Sequence, residues 1–294
     1  TYHLTKLAFD KMLEDSQPQI VSVCTPTPTH KEVVCEVAKH ESVKAIFLEK
    51  PIAQSLNEVD EIINACKKAH IKLTINHTRH WDPMYLKLIS ALEEWPHTIF
   101  GVHPGPLIRT GIHMLDLFNW IIPGQPKTVQ AFGPPQTNYV TRDLVQMDET
   151  DENSWVDYSV NGCISYDNTE AILYGSMPTE KLVLFELDVL TNHQRIRITE
   201  NGSRMEEFGV RQSRRYSGLN EYRMLNYYSA ESLQHESPLL TAVKEVCSSD
   251  FNSCTGEAAR SALHMALALH LSAMHVGAVV KLKDVPKDFT VRSY

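Results

Sequence analysis

The sequence predicts an α/β protein in two parts: a doubly wound parallel sheet over residues 1–82, then an α+β domain with a large, mostly antiparallel sheet over residues 83–294. Three observations carry this expectation. Residues 4–75 alternate short β-branched runs with stretches of helical period, the grammar of strands joined by right-handed helical crossovers. After Trp81-Asp82-Pro83 that grammar gives way to strand-like segments in succession, separated by turn signals such as Asp167-Asn168 and Asn201-Gly202. All 12 glycines lie at or after Gly101, so residues 1–100 hold no Gly-rich phosphate loop.

In chain order, Leu4 to Leu13 has helical spacing and Ile20 to Cys24 reads as the first strand. Thr29 and Glu32 have the spacing of a capping box ahead of a helix that runs to Ala38. Ala45-Ile46-Phe47-Leu48 is the second strand, Ser55 and Glu58 a second capping box before the face of Val59, Ile62, Ile63 and Cys66, and Lys72 to Ile75 the third strand. Continuously apolar strands of this kind belong to a sheet covered on both faces. Beyond the junction, helices are expected over Met84 to Leu92 and Leu107 to Ile122. Strands follow over Thr128 to Phe132, Trp155 to Tyr166, Thr169 to Tyr174, Leu182 to Val189, Gln194 to Thr199 and Arg204 to Phe208. Two helices close the chain, Glu221 to Cys247 with breaks and Gly256 to His275, the latter expected to pack back toward the first domain.

Composition narrows the function classes. With 43% apolar and 22% charged residues in 294, the chain is globular rather than disordered or coiled coil. The net charge of -8 argues against nucleic acid or an anionic membrane as the main partner. No stretch is apolar enough to span a bilayer, since the run from Ala258 to Val280 is broken by His264, His270 and His275. The six cysteines form no C-x-x-C pair and are expected to be free thiols in a reducing, cytoplasmic setting. A chain that begins at Thr1, without a methionine, is expected to be incomplete at its N-terminus.

In a doubly wound sheet ligands bind beyond the carboxyl ends of the strands, so the residues after each strand are the candidates. Cys24 leads into Thr25-Pro26-Thr27-Pro28-Thr29-His30, where the hydroxyls serve either turn and cap or a phosphate. Leu48 leads into Glu49-Lys50-Pro51, with an ammonium that is either solvated or functional and a glutamate that pairs with it or with a ribose hydroxyl. Ile75 leads into Asn76-His77-Thr78-Arg79-His80. His77 and His80 have no further ligand at a recognisable spacing, so no metal site is expected. In the helix from Leu107, Arg109, His113, Asp116 and Trp120 share one face, either a solvated polar face or an acid–base pair with Asp116 orienting His113.

Thr-Pro-Thr-x-x-His at 25–30, Glu-Lys-Pro at 49–51, Asn-His-Thr-Arg-His-Trp-Asp-Pro at 76–83 and Gly-Ile-His-Met-Leu-Asp at 111–116 occur in this order. Together with the closing Thr255-Gly256-Glu257-Ala258-Ala259 helix they resemble the glucose-fructose oxidoreductase and inositol dehydrogenase family, Gfo/Idh/MocA, over nearly the whole chain. The resemblance implies a Rossmann-type first domain that binds NAD or NADP, and hydride transfer to or from a sugar, sugar acid, nucleotide sugar or polyol. It implies that Thr25, Pro26, Thr27, His30, Glu49, Lys50 and Asn76 contact the cofactor and that Lys50 and His113 share the proton work. Arg79, Arg109, Asp116 and the loop residues Arg214, Arg215 and Tyr216 become the expected substrate contacts, the arginines favouring an acidic or nucleotide-linked sugar.

The sequence departs from that family at three points. The first strand and its Gly-rich turn would precede Thr1, Arg109 stands where the family often has Asp, and the segment from Ile99 to Leu107 is short. The alternative is a non-catalytic sensor that binds dinucleotide or sugar on the same fold. The family's sheet-to-sheet pairing implies a homodimer or dimer of dimers, with Val160, Cys163, Ile172, Tyr174, Leu184, Phe185 and Val189 supplying more apolar surface than one covered face needs.

Overall fold

The structure, a computed structural model, describes residues 6–136, 154–176, 183–233, 236–248 and 251–293. The expected helix start at Leu4, the strand start at Leu182 and part of the expected Glu221–Cys247 helix lie outside them.

The first part is a parallel sheet of β1 (Ile20–Val23), β2 (Ala45–Leu48) and β3 (Lys72–Ile75) in that spatial order. It carries α1 (Lys6–Ser16), α2 (His30–Val37) and α3 (Leu56–Lys68). All of β2 is buried because it is the middle strand with both faces covered, as its unbroken apolar run requires. Ser55 caps α3 by accepting from the Glu58 N–H at 3.3 Å, while the Glu58 carboxylate accepts from the Gln54 N–H at 2.9 Å. The Thr29–Glu32 box does not form. Thr29 instead donates to the Pro26 carbonyl at 2.7 Å, because Pro26 and Pro28 turn the chain through a short 3-10 segment before α2 begins.

The second part is a nine-stranded mixed sheet in the order β12-β11-β10-β9-β4-β8-β7-β5-β13. Its strands are β4 (Thr98–Pro104), β5 (Thr128–Gln136), β7 (Ser159–Ser165), β8 (Glu170–Ser176), β9 (Glu186–Leu190), β10 (Gln194–Thr199), β11 (Arg204–Gln212), β12 (Asn220–Ser229) and β13 (Val280–Lys281). β6 (Ser154–Val156) pairs separately with β14 (Thr290–Arg292), in parallel. Packed on the nine-stranded sheet are α4 (Pro83–Ala91), α5 (Ile112–Ile121) and α7 (Gly256–Met274), whereas α6 (Pro238–Cys247) lies against β2 and the loop after β3.

Two expectations are corrected here. Thr98–Pro104 is the central strand, parallel to β8 and antiparallel to β9, although the sequence reading placed no strand there. Its alternation of Ile99, Gly101 and His103 inward with Phe100 and Val102 outward was the available signal. Residues 220–229 form a strand rather than the start of a helix, because nine residues in register with β11 satisfy their backbone and place Tyr227 and Tyr228 on opposite sides, with a bulge at Glu207/Phe208.

One face of the sheet is covered by α5 and α7. Gly101 and Gly162 make room for them: a Cβ at Gly101 would lie 2.5 Å from Met114 Cγ, and one at Gly162 2.3 Å from Leu269 Cδ2. Of the seven apolar residues expected to exceed what one covered face needs, Val160, Phe185 and Val189 are buried on this covered side. Cys163, Ile172 and Tyr174 do lie on the open side, beside Phe100 and Phe132. The buried residues form one continuous core from Leu13 to Val291 that runs through both sheets. α7 ties them together: Arg260 bonds Asp60 of α3 at 2.6 Å, and Cys254 just before α7 accepts from the Ile75 N–H at 3.0 Å.

Candidate functional site

Each of the three strand ends delivers its polar cluster to the same rim. After β1, Thr25 and Pro26 are exposed and Thr27 half-buried at the mouth of α2. His30 is buried behind them, with Nδ1 at 3.0 Å from the Pro51 carbonyl and Nε2 at 2.8 Å from the Thr25 carbonyl. Both ring nitrogens thus face backbone carbonyls, so His30 sits between two rim loops instead of presenting its ring to a ligand. After β2, Glu49 accepts from Asn76 Nδ2 at 2.6 Å, so its side-chain partner within the protein is Asn76 rather than Lys50. Asn76 is buried and its Oδ1 has no protein partner.

Lys50 reaches across to the second part of the fold and donates to the Arg109 carbonyl at 2.6 Å. Burial holds its ammonium below the usual 10.5, and the charges of Arg109 and Arg79 act in the same direction against Glu49 and Asp157.

The helix predicted over 107–122 is a π-helical turn, Leu107–Gly111, running into α5. That turn is held by a residue the sequence reading did not single out. Asp157 is 4% exposed and accepts from the Ile108 N–H at 3.0 Å, the Arg109 N–H at 2.8 Å, His270 Nε2 at 3.0 Å and Ser293 Oγ at 3.0 Å. An acid inside an otherwise strand-like run, Trp155 to Tyr166, was the clue.

The polar face of α5 is not solvated. It packs against the loop after β3, and Asp116, 1% exposed, accepts from His80 Nε2 at 2.9 Å and lies 3.7 Å from His77 Nδ1. His80 in turn stacks on Trp120, with ring centroids 4.3 Å apart. Asp116 therefore does not orient His113, and its burial removes it from the expected substrate contacts. Burial alone would raise the Asp116 carboxyl, but His77 and His80 outweigh it and hold it below the usual carboxylate range. Burial pushes His77 down to about 4.

His113 is half-buried, with Nδ1 enclosed and unpartnered, and its ring meets that of His77 edge-on at 5.4 Å. Burial, with Arg79, His77 and Lys50 adding to it, sets its pKa well below 6.5, so the near-neutral titration an unperturbed histidine would show is not expected of it.

Arg79 is half-buried, its guanidinium 4.1 Å above the Phe185 ring, and the Arg109 side chain is exposed at the rim. Arg214, Arg215 and Tyr216 are also exposed, but on the β11–β12 turn. That turn follows the end of β11 that lies beside His193, whereas Phe185 and the site lie at the opposite end of the strands. The structure therefore does not bring these three to the site.

A nicotinamide dinucleotide fits the rim by its own chemistry: hydroxyls at the exposed Thr25 and half-buried Thr27 beside a helix start, a Glu49–Asn76 pair with an unpartnered buried carbonyl oxygen, and a cation at the adjoining strand end.

Comparison with known proteins agrees. Residues 4–77 match the family model for the oxidoreductase family with an NAD-binding Rossmann fold, GFO_IDH_MocA. The myo-inositol 2-dehydrogenase of Thermotoga maritima is 30% identical over 141 residues, 42% of each protein. The chain spans about half the length, or somewhat less, of the curated relatives it matches. Among solved structures, UDP-N-acetylglucosamine 3-dehydrogenase from Acidithiobacillus ferrooxidans superposes with a TM-score of 0.70 at 17% identity, over 90% of this chain and 81% of that one. An oxidoreductase from Agrobacterium radiobacter in complex with NAD+, L-tartaric acid and magnesium gives 0.68 at 16% identity, over 92% and 82%. The motifs in their order, the parallel sheet that carries them and these matches together make residues 4–77 similar to the NAD-binding Rossmann domain of the Gfo/Idh/MocA oxidoreductases, and the whole chain similar to that family's fold.

Proposed function

We propose that this chain is an NAD(P)-dependent dehydrogenase or reductase acting on a CH–OH group of a sugar, sugar-acid, nucleotide-sugar or polyol substrate. The observation that carries the reading is Lys50. It is a half-buried ammonium at the carboxyl end of the central parallel strand, aimed across the junction between the two sheets, with its pKa lowered by burial. The relative that is a myo-inositol dehydrogenase supports the substrate class.

When bound, the nicotinamide supplies the hydride acceptor or donor, and the chain's residues manage the proton. In the oxidation direction the neutral amine of Lys50 takes the hydroxyl proton; in reduction its ammonium returns that proton to the oxygen and stabilises charge developing there. A lowered pKa raises the neutral fraction near neutrality, which is what a base at that position needs. The Arg109 carbonyl fixes Lys50 Nζ, and Glu49, held by Asn76, keeps a negative charge beside it. His113 faces the same space through its half-open ring and serves as a hydrogen-bonding partner of the substrate hydroxyls. Thr25, Pro26 and Thr27 line the cofactor, and Arg79 and Arg109 are the cations nearest the substrate.

The test is turnover of NAD+ and NADP+ with inositols and hexoses by wild type and Lys50→Ala. Loss of turnover by about 100-fold or more with dinucleotide binding retained is expected. Turnover within a few-fold of wild type would remove Lys50 from the chemistry.

The open face of the nine-stranded sheet supports a homodimer. Tyr174 is 48% exposed, Phe132 38% and Phe100 37%, three aromatics on β8, β5 and β4 with the Phe132 and Tyr174 rings edge-on at 5.5 Å, flanked by the ion-paired Asp188, Arg195, Arg197 and Glu206. Light scattering at micromolar protein reads the state directly, and a monomer would refute it. No helix among the described residues is long and apolar enough to cross a membrane.

A further inference from the structure

We infer that His77, Asp116 and Cys254 form a buried binding site for a divalent cation of the zinc class, behind the face that carries Lys50 and His113. One donor atom from each of the three, an imidazole nitrogen, a carboxylate oxygen and a thiol sulfur, lies within 4.8 Å of the others. His77 Nδ1 lies 3.7 Å from Asp116 Oδ2, so the imidazole already faces this carboxylate, whose other oxygen, Oδ1, is the one left free to ligate.

The three come from distant parts of the chain and are brought together by backbone. The Cys254 carbonyl accepts from the Ile75 N–H at 3.0 Å, and Thr255 bridges Thr74, so the thiol is laid alongside the loop that carries His77. Asp116 arrives on α5.

The second observation is what these groups lack. His77 is 0% exposed, yet neither ring nitrogen has a hydrogen-bond partner, and Asp116 Oδ1 is also enclosed without one. Buried polar atoms are nearly always paired, so an enclosed imidazole with both nitrogens idle beside an idle carboxylate oxygen marks a place where something else sits. The donor set decides what. Nitrogen, oxygen and sulfur together suit zinc and its neighbours and do not suit magnesium or calcium, which take oxygen. A carboxylate and a thiolate neutralise a dication, so the filled site carries no net charge into the core. The remaining carboxylate oxygen is bonded by His80 at 2.9 Å, the outer hydrogen bond that ligating carboxylates ordinarily have. A water completes the coordination. This assignment does not depend on the proposed enzymatic activity.

The test uses the purified chain stripped with chelator and titrated with Co2+ and Zn2+. Wild type is expected to take up one equivalent of cobalt with a thiolate-to-cobalt charge-transfer band in the near ultraviolet, and zinc is expected to abolish that band by competition. Cys254→Ala, an apolar replacement of a buried thiol, is expected to lose the band and about 100-fold or more in affinity. His80→Gln is expected to keep the band with affinity reduced by about 10- to 100-fold. Cys66→Ala, at a buried thiol outside the cluster, is expected to change neither. A wild-type cobalt spectrum without the thiolate band would overturn the assignment, as would equal zinc affinity in wild type and Cys254→Ala. Absence of binding at about millimolar metal would do the same and leave a water as the occupant. If Cys254→Ala does not fold, Cys24→Ala and Cys247→Ala, which remove the two exposed thiols, are expected to keep the band, and its loss in either would overturn the assignment.

Discussion

Asp157→Asn is the substitution whose cost the structure defines most closely. Each carboxylate oxygen of Asp157 accepts twice: Oδ1 from the Ile108 N–H and His270, Oδ2 from the Arg109 N–H and Ser293. A carboxamide keeps one accepting oxygen and turns an NH2 toward the other pair of donors. With the NH2 on the Ser293 side, the hydroxyl can rotate to accept, and the Arg109 N–H is left buried and unpaired. The loss is one charge-assisted hydrogen bond, about 1.5–3 kcal/mol, plus about 1–3 kcal/mol for the orphaned amide. Together these come to about 2.5–6 kcal/mol. Because the Arg109 carbonyl is the acceptor for Lys50, the turn that loosens also carries the group that positions the ammonium. Urea unfolding of wild type and Asp157→Asn, read by circular dichroism, measures the difference, and the fitted slope shows whether both unfold in one transition. A loss below about 1 kcal/mol would refute the reasoning, since it would mean that the π-helical turn holds without its anchor.

Three further outcomes follow from the geometry. In the oxidation direction the rate is expected to rise with pH as the Lys50 ammonium loses its proton, with a midpoint below the 10.5 of an ordinary lysine, set by Lys50 among Glu49, Arg79, Arg109, Asp157, His77 and His113, and this rise is expected to move upward in Lys50→Arg if that variant retains measurable turnover; an unchanged rise assigns it to another group. Asp60 bonds Arg260 and Lys287, which hold its carboxyl below 3.8. A depressed carboxyl contributes stability above its unfolded pKa that is lost as pH falls through the folded value. Asp60→Asn should therefore be less stable than wild type at neutral pH, with the gap closing below pH 3.8, and thermal melts across that range would show it. Gly101→Ala puts a methyl into Met114 and Phe118 at 2.5–2.8 Å, an overpacking expected to cost about 1–3 kcal/mol by denaturant titration; a neutral result would mean that α5 can shift off the sheet freely.

The three parallel strands, the helices between them and the polar cluster after each strand were legible in the sequence because they are local. Apolar runs, cap residues and turns are decided within a dozen residues, and a parallel sheet always presents its carboxyl ends on one rim. Lys50 was identifiable for the same reason, as a charge following a buried run. The middle strand β4 and the strand β12 were not, since a short alternating segment and an aromatic one take their conformation from their neighbours in the sheet. Pairwise chemistry was beyond the sequence altogether. Residue order suggested that Asp116 serves His113, three positions away on one helix, but the packing of α5 against the loop after β3 gives it to His80 and His77. Spacing likewise gave His77 no further ligand, yet the strand-to-loop contact at Ile75 sets Cys254 beside it, from nearly 180 residues downstream. Asp157 is the clearest case: an acid in a strand-like run has no meaning until four donors from three separate segments converge on it. Local periodicity fixes which backbone groups are satisfied within an element, and only tertiary packing decides which buried polar side chains must satisfy one another.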